Sequence, residues 1–311
     1  MSKSTRQAFG ESLAKLGEEK REIVVLDADL SKSTKSEIFA KKFPDRFYEM
    51  GIAEANMIGT AAGLAFAGKL PFLCSFGCFL TGRYDTIRLS VAYSGANVRL
   101  IGTHAGVGIG DDGHSQMGLE DLTLMRALPT MGVFQPMDAR ETEEVMKYLV
   151  HEWKGPAYLR LTRQNLPNLY PEGAKFQPLK LMAIRDHGSK ASISCIASGA
   201  TTAEAVAASD ALSKKGILMN VWNAHSVKPF DDAKAVEIAR ASKLFFTIED
   251  HSVIGGLGSA VAEAISGAGV ATKLHRLGVQ DVFGESGDGP DLYEKHGLSA
   301  AKIAAWVQEH A

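Results

Sequence analysis

The stretch MGIAEANMIGTAAGLAFAGKLPFLCSFG, residues 50–77, decides the fold. Its first part is a helical pattern opened by Glu54, and its second part contains LPFLCS (70–75), a short apolar run typical of a buried strand. Short apolar or β-branched runs alternate with longer helical patterns in this way from end to end. Because this alternation is typical of parallel sheets with helices on both faces, the sequence predicts an α/β fold of two doubly wound, mostly parallel sheets.

The other predicted elements follow the same rule. Further strands are expected at residues 22–28, 97–103, 132–136, 157–162, 191–197, 217–223, 243–249 and 272–279. In the second half, helices are expected near residues 201–214, 232–241, 257–267 and 298–309. In the first half, Asp138 followed by Glu141 forms a capping-box pattern, which predicts the start of a helix there.

A break in this pattern indicates a domain boundary. The chain has 311 residues, which exceeds the usual single-core size of roughly 100 to 200 residues. Within residues 165–181, three prolines and a glycine interrupt the periodicity. We therefore expect a first domain over residues 1–170, a linker over 171–184 and a smaller second domain over 185–311.

Charge and cysteine content argue against several classes of function. With 34 basic and 36 acidic residues, the chain lacks a positive excess for holding nucleic acid or an anionic membrane surface. Its three cysteines show neither a disulfide framework nor metal-ligand spacing, which favours a reducing compartment. The N-terminus has no apolar signal core, and no segment approaches the roughly 20 apolar residues of a membrane helix. We expect a cytoplasmic protein with neither nucleic-acid nor membrane partners.

Glu54 is the first candidate for chemistry. It begins a helix whose residues 59–67 are mostly glycine and alanine, a composition tolerated where another backbone comes close. An acid at the mouth of such a poorly hydrated seam suits acid–base work. A carboxylate in a first helical turn is also favoured by the helix dipole without any function. Position alone leaves both interpretations open.

The segment THAGVGIGDDGHSQMGLED (103–121) is the second candidate. It follows a predicted strand and carries two histidines, and ligands in α/β proteins bind at the carboxyl ends of parallel strands. Its Gly108, Gly110 and Gly113 match GxGxxG, but Asp111 and Asp112 would repel a pyrophosphate and no helix follows at once. A solvated surface loop is the alternative.

Two more strand ends carry candidate residues. Phe76 and Phe79 lie three apart and offer a flat apolar surface, although core packing is the commoner role for such a pair. Arg163 ends another strand and could bind a phosphate in bidentate fashion, although a solvated arginine fits equally well. The glycine-rich runs at 255–259 and 284–291 are interpreted as a helix start and a turn, respectively.

Taken in order, these segments resemble the C-terminal half of transketolase over essentially the whole chain, with a pyrimidine-binding domain followed by a transketolase C-terminal domain. The motifs that carry the resemblance are DADLSKST (27–34), MGIAEANMIGTAAGLA (50–65), SFGCFLTGR (75–83), THAGVGIGDDG (103–113), LMRALPTMGVFQPMDARET (124–142), GPAYLRLTRQNLP (155–167) and IEDHSVIGGLGSAVAE (248–263). The family uses thiamine diphosphate to transfer a two-carbon ketol unit between sugar phosphates.

The resemblance implies roles at the cofactor. Glu54 matches the glutamate that hydrogen-bonds the ring nitrogen of the aminopyrimidine and so activates the cofactor. Phe76 and Phe79 match aromatic residues that pack on the pyrimidine ring. Asp29 and Leu30 match residues that line the cofactor cleft.

The resemblance also implies a substrate site. His104, Asp112 and Arg163 match family residues that bind sugar hydroxyls and the terminal phosphate, and His104 would handle protons on substrate oxygens. Ser33 and Arg6 complete the phosphate site.

One part of the family pattern is not found in this sequence. Transketolases begin with a domain whose Gly-Asp-Gly motif and downstream asparagine hold Mg²⁺ and the cofactor diphosphate, whereas the Gly-Asp-Gly here, at 287–289, precedes no asparagine. Because a divalent cation normally neutralises a bound diphosphate, we expect a separate N-terminal subunit to supply the Mg²⁺ ligands. We expect a heterotetramer with two copies of each chain, whose pyrimidine-binding domains pack at residues 59–67.

One loop departs from the family. Most transketolases read Asp-Gly-Pro-Thr-His-Gln where this chain has DGHSQM (112–117), so Gln116 occupies the place of a substrate-binding histidine. His114 lies two residues earlier, and its His-Ser-Gln string is similar to the loop of 2-oxoacid dehydrogenase β subunits. Either His114 reaches the substrate or Gln116 supplies a neutral amide. The sequence does not determine the donor and acceptor sugars.

The leading prediction is therefore the C-terminal subunit of a split transketolase. One alternative is the β subunit of a 2-oxoacid dehydrogenase, which would have no need of Arg163 or the phosphate site. The other is a non-catalytic, regulatory chain that kept the fold.

Overall fold

The computed structural model describes residues 2–311. The strands are β1 (Lys3–Ser4), β2 (Ile23–Asp27), β3 (Phe47–Glu49), β4 (Leu70–Phe76), β5 (Arg99–Thr103), β6 (Gly132–Phe134), β7 (Ala157–Arg160), β8 (Asn165–Leu166), β9 (Met182–Arg185), β10 (Ile193–Ala197), β11 (Met219–Asn223), β12 (Ser226–Lys228), β13 (Leu244–Ser252) and β14 (Leu274–Val279). The helices are α1 (Thr5–Glu19), α2 (Ser31–Thr34), α3 (Glu37–Lys42), α4 (Glu54–Phe66), α5 (Gly77–Thr81), α6 (Tyr84–Thr86), α7 (Asp121–Ala127), α8 (Ala139–His151), α9 (Thr201–Ser213), α10 (Asp232–Ala241), α11 (Leu257–Gly267), α12 (Gly289–Lys295) and α13 (Ala300–His310), and a π-helical segment, Ile87–Tyr93, follows α6.

Two mostly parallel sheets form the framework. The first has the order β12-β6-β7-β5-β4-β2-β3 and is parallel except for β12, while the second has the order β14-β13-β10-β11-β9 and is parallel except for β9. Each antiparallel strand lies at an edge. The prediction of an α/β fold with two mostly parallel sheets is confirmed.

Helices cover both faces of the first sheet. In β2, Val24 and Leu26 belong to one apolar core while Ile23 and Val25 belong to another. Because successive strand residues point to opposite faces, a strand buried on both sides reads as a continuous apolar run. This is why the central strands could be predicted from the sequence.

The short edge strands were missed by the sequence prediction. β3, β9 and β12 have only three or four residues each, too few for a recognisable period. β12 comes from residues 226–228, within the segment assigned to the second domain, yet it pairs with β6 of the first sheet. The division at residues 171–184 stays a prediction.

The first sheet also determines where polar residues can meet. Strands β7, β5, β4 and β2 are neighbours in that order and run parallel. Their carboxyl ends therefore lie along one edge of the sheet, and the sequence places Arg163, His104, Phe76 and Asp29 at or just after these ends. Among residues 2–311, no helix has both the length and the apolar character needed to cross a bilayer.

Candidate active site

Glu54 lies at the sheet edge beside the end of β4. It is the first residue of α4 and only 5% of its surface is exposed. The Ser75 hydroxyl donates to one carboxylate oxygen at 3.3 Å, and the other oxygen accepts no hydrogen bond from the described residues. A buried carboxylate with a spare acceptor can bind a donor from a ligand.

The aromatic pair lies directly after Ser75. The rings of Phe76 and Phe79 are 5.5 Å apart and nearly parallel, with 9° between their planes. Phe76 also stacks on His104 at 3.9 Å between ring centroids. Phe76 is buried and Phe79 is partly exposed, so the pair packs into the protein and still offers apolar ring surface to a flat ligand.

His104 is held on both ring nitrogens. A guanidinium nitrogen of Arg6 lies 2.8 Å from its Nε2, and the Thr103 hydroxyl lies 2.8 Å from its Nδ1. Since the arginine can only donate, Nε2 accepts and Nδ1 carries the proton. Burial, together with the positive charges of Arg6, Arg163 and Lys35, lowers the pKa of His104 to about 3. The imidazole is therefore neutral at physiological pH.

We expect His104 to remain uncharged from about pH 5 to 8, the range in which unperturbed histidines titrate. Its pKa is lower folded than unfolded, so the unfolded chain binds the extra proton and this group makes stability rise with pH between about 3 and 6.5. Nitrogen-15 NMR of the imidazoles should show constant His104 shifts across this range. A His104 midpoint near 6.5 would contradict the prediction, and the exposed histidines serve as internal controls.

Cationic side chains converge beside His104. Arg6 donates to the main-chain oxygen of Ser33 at 2.8 Å, and Arg163 pairs with Asp112 at 3.1 Å. Burial and the positive charge of Arg163 lower the pKa of Arg6, although Asp112 opposes this. Two neighbouring guanidinium groups, both partly buried, form a natural site for an anion.

A buried acid that the sequence analysis did not single out shapes the turn at residues 27–34. The Asp27 carboxylate accepts from the main-chain N–H of Leu30 at 2.7 Å and from the hydroxyls of Thr34 and Ser36 at 2.8 and 2.7 Å. Burial raises the pKa of Asp27 to about 6, despite these hydrogen bonds. Its position directly before the turn, at the end of an apolar strand, was the available signal.

A second acid that the sequence analysis did not single out is Glu49, which holds the main chain at Asp29. Asp29 has a positive φ of 62°, and its N–H donates to Glu49 at 2.8 Å. Glu49 also accepts from Gly51 at 3.1 Å, so it ties the Asp29 turn to the segment that leads into α4.

The glycine loop, residues 104–118, carries the side chains of His114 and Gln116, of which only that of His114 is held by other side chains or main-chain groups of the described residues. The His114 ring packs on Phe283 at 4.3 Å between centroids, and its Nδ1 accepts from the N–H of Gly284 at 3.1 Å. His114 is therefore engaged by residues that follow the second sheet. Gln116 is partly exposed, and its side chain makes no hydrogen bond with the described residues.

Of the two glycine-rich runs, the first has the structure expected of it and the second has it only in part. α11 begins at Leu257, within the first run, and the buried Glu249 carboxylate accepts from the N–H groups of Leu257 and Gly258 at 2.7 and 2.9 Å. A protein carboxylate therefore fills this helix start. In the second run the chain bends at residues 286–287, but α12 begins at Gly289, so the last three residues of the run are helical rather than part of a turn.

The small residues of α4 divide between two faces. Ala61 and Ala62 are buried, whereas Cβ atoms built on Gly59 and Gly63 would meet nothing within 4 Å. Near this open face, Phe66 is 65% exposed.

As for metals, the described residues contain no group of three or more histidine, cysteine or acidic residues suited to an ion.

Two family models match the chain. The transketolase pyrimidine-binding domain matches residues 1–168, and the transketolase C-terminal domain matches residues 183–303. A protein of Methanocaldococcus jannaschii described as a putative transketolase C-terminal section is 43% identical over 311 residues, covering 99% of this chain and 96% of that protein. A 6-deoxy-6-sulfo-D-fructose transketolase subunit of Clostridium sp. is 38% identical over 306 residues, covering 98% and 93%.

A solved structure described as a split gene transketolase, inactive β4 tetramer, has a TM-score of 0.87 and 42% identity, covering 99% of this chain and 98% of that one. The chain spans about half the length of the animal transketolases it matches, for example 48% of the Homo sapiens protein. This chain belongs to the transketolase family, and its whole length corresponds to that family's C-terminal section.

Proposed function

We propose that this chain is one subunit of a two-chain transketolase that moves a two-carbon ketol unit from a ketose phosphate to an aldose phosphate with thiamine diphosphate. The observation that carries the proposal is the arrangement at one sheet edge. There the buried acid Glu54, the parallel rings of Phe76 and Phe79, and the neutral His104 beside Arg6 lie at neighbouring strand ends.

These residues fit the pyrimidine half of the cofactor. Glu54 has a carboxyl oxygen free to share a proton with a ring nitrogen, and the two phenylalanines offer apolar surface to a flat ring. Asp29 and Leu30 would line the same cleft. When bound, the cofactor supplies the carbanion-stabilising chemistry that ketol transfer needs.

The other residues would hold the sugar phosphate. Arg6, Arg163 and Ser33 would bind the terminal anion, and Asp112 would accept from sugar hydroxyls. Both ring nitrogens of His104 are engaged, so Arg6 would have to move from Nε2 to the anion before the neutral imidazole could hydrogen-bond a substrate oxygen and exchange a proton with it. We propose Gln116 as the replacement for the family's second histidine, because His114 is engaged with Phe283 and Gly284.

The partner would be an N-terminal subunit that brings Mg²⁺ and the diphosphate half of the site. The name of the Methanocaldococcus jannaschii relative supports this division, as does the half-length match to the animal proteins. The open face of α4 at Gly59 and Gly63, with Ile52 82% and Tyr93 87% exposed nearby, supports self-association within a heterotetramer.

Reconstitution tests the proposal. The chain would be mixed with Mg²⁺, thiamine diphosphate and a candidate N-terminal subunit, chosen because its sequence carries Gly-Asp-Gly and a downstream asparagine. We expect ketol transfer only in the complete mixture, together with a heterotetramer by light scattering. Full turnover by this chain alone would contradict the split, and no transfer by the complex would contradict the activity.

Two further substrate classes belong in the same assay. The Clostridium relative is named for a sulfonated sugar, and a site built on Arg6 and Arg163 could bind a sulfonate as well as a phosphate. Parallel reactions with a sulfosugar and with pyruvate separate these from sugar phosphates. Decarboxylation of pyruvate without ketol transfer would favour the 2-oxoacid dehydrogenase alternative, and binding without any turnover would favour a regulatory chain.

A further inference from the structure

We propose that Asp250, in the strand β13 of the second sheet, is a positioning residue that fixes the glycine loop and thereby sets the substrate site. Its carboxylate acts as an internal anion held by the loop's own main chain. The consequence for substrate rests on the proposed function, whereas the anchoring contact can be measured without it.

The contact is direct and buried. Asp250 is 2% exposed, and its carboxylate accepts from the N–H groups of Val107 at 2.8 Å and Gly108 at 3.4 Å. The Tyr293 hydroxyl donates to the same carboxylate at 2.8 Å. Successive main-chain N–H groups aimed at one point form an anion-binding nest, and here the anion is a side chain of the other sheet.

One glycine of the loop, Gly106, is explained by this anchoring. Gly106 has a φ of 89°, and a Cβ there would lie 2.1 Å from an Asp250 carboxylate oxygen. A Cβ on Gly108 would lie 2.3 Å from the amide of Gln164, and one on Gly113 would lie 2.3 Å from the Ser286 hydroxyl. The positive φ and the nearby carboxylate favour glycine at Gly106, and at Gly108 and Gly113 a Cβ would require Gln164 or Ser286 to shift. Neighbouring protein groups therefore approach these three glycines closely.

The anchor also reaches the other side of the substrate site. The Tyr293 hydroxyl, whose proton goes to Asp250, also lies 3.4 Å from the side-chain amide of Gln164, which directly follows Arg163. Arg163 in turn pairs with Asp112 of the glycine loop at 3.1 Å. Asp250 therefore contacts the loop that carries Asp112 directly, and it is linked through Tyr293 to the segment that carries Arg163. Displacing binding groups by about 1 Å is enough to cost a large factor in rate or affinity.

The test uses Asp250→Asn, which keeps the side-chain volume and one acceptor oxygen while removing the charge. In the reconstituted complex we expect the KM for the aldose phosphate to rise about 10-fold with a smaller change in kcat. In the chain alone, we expect hydrogen exchange at Val107 and Gly108 to accelerate about 10-fold.

Glu249→Gln is the matched control. Glu249 is the preceding residue, is equally buried and also accepts two main-chain N–H bonds, but from Leu257 and Gly258 of its own domain. We expect this variant to leave both the loop exchange and the KM unchanged, so general weakening of the second sheet is distinguished from loss of the anchor.

Each outcome decides the proposal. Exchange that stays at the wild-type rate in Asp250→Asn would overturn the anchor, and faster exchange without a change in KM would overturn the positioning role. If Asp250→Asn fails to fold, Tyr293→Phe removes only the hydroxyl and should shift both readouts in the same direction, and its failure to do so would overturn the proposal. If the wild-type complex transfers no ketol unit, the proposed function fails, but hydrogen exchange of the loop still tests the anchor. Exchange at the wild-type rate in Asp250→Asn would then overturn the proposal. If exchange is faster, a Kd of this variant for aldose phosphate equal to that of the wild type would overturn the positioning role.

Discussion

Glu54→Gln in the reconstituted complex is expected to lower kcat by about 10²-fold or more, the usual contribution of a positioned acid–base group. Glutamine has the same shape and can still accept from Ser75, which donates to the carboxylate at 3.3 Å. The substitution replaces an ionisable carboxyl group by an amide, which cannot take up or release a proton. Turnover with saturating thiamine diphosphate and the melting temperature of the isolated chain would be measured together, and the latter should change little.

Glu37→Gln is the control for this prediction. Glu37 is the first residue of α3, as Glu54 is of α4, but it lies at the surface and pairs with Lys41 at 2.8 Å. If the acid at a helix start only complements the helix dipole, the two substitutions should have similarly small effects. Equal turnover in both variants would remove Glu54 from the mechanism and leave the structural interpretation.

The strands of the framework could be predicted because they are buried on both faces. Residues 70–74 contain no polar residue that would give the run a one-sided period, and the apolar character of the run together with the glycine at position 77 was sufficient. Edge strands lack this property. β12, for example, is fixed by its pairing with β6, about ninety residues earlier in the chain, and no local pattern contains that information.

The candidate site could be predicted only in part for the same reason. Glu54 and His104 stand at element boundaries, where sequence reasoning looks for ligands. The links between them are not local, since Arg6 meets His104 across 98 positions and Asp250 meets Val107 across 143. The glycines of the loop were visible in the sequence, but the groups that approach them required the structure: the Asp250 carboxylate at Gly106, and the side chains of Gln164 and Ser286 at Gly108 and Gly113.

The largest stability effect is expected for Arg160→Met. Arg160 and Asp121 are 2% and 0% exposed, and the guanidinium donates to the carboxylate at 2.8 Å. A second nitrogen of Arg160 donates to the main-chain oxygens of Gly118 and Asp250, both at 2.9 Å, so one side chain joins the first sheet, the glycine loop and the second sheet. Removing one member of a buried pair typically costs about 3–5 kcal/mol of unfolding free energy.

The Asp121 carboxylate, left without its cation, explains the size of the expected loss in unfolding free energy. Burial alone would raise the pKa of Asp121, but Arg160 and, to a lesser degree, His251 hold it below its usual value. Because the folded pKa is depressed, the stabilisation is present above the unfolded value near 4 and is lost as pH falls through the folded pKa. In Arg160→Met the same carboxylate has to remain charged without its cation or take up a proton, and either costs stability at neutral pH.

The double variant Asp121→Asn with Arg160→Met separates the charge from the packing. If the loss in Arg160→Met comes from an unpaired buried charge, neutralising Asp121 should recover a measurable part of it, whereas a pure packing defect would add to the second substitution. Urea unfolding followed by circular dichroism would give the four free energies of unfolding, for wild type, Arg160→Met, Asp121→Asn and the double variant. An Arg160→Met chain within about 1 kcal/mol of wild type would mean that water reaches Asp121, contrary to its complete burial.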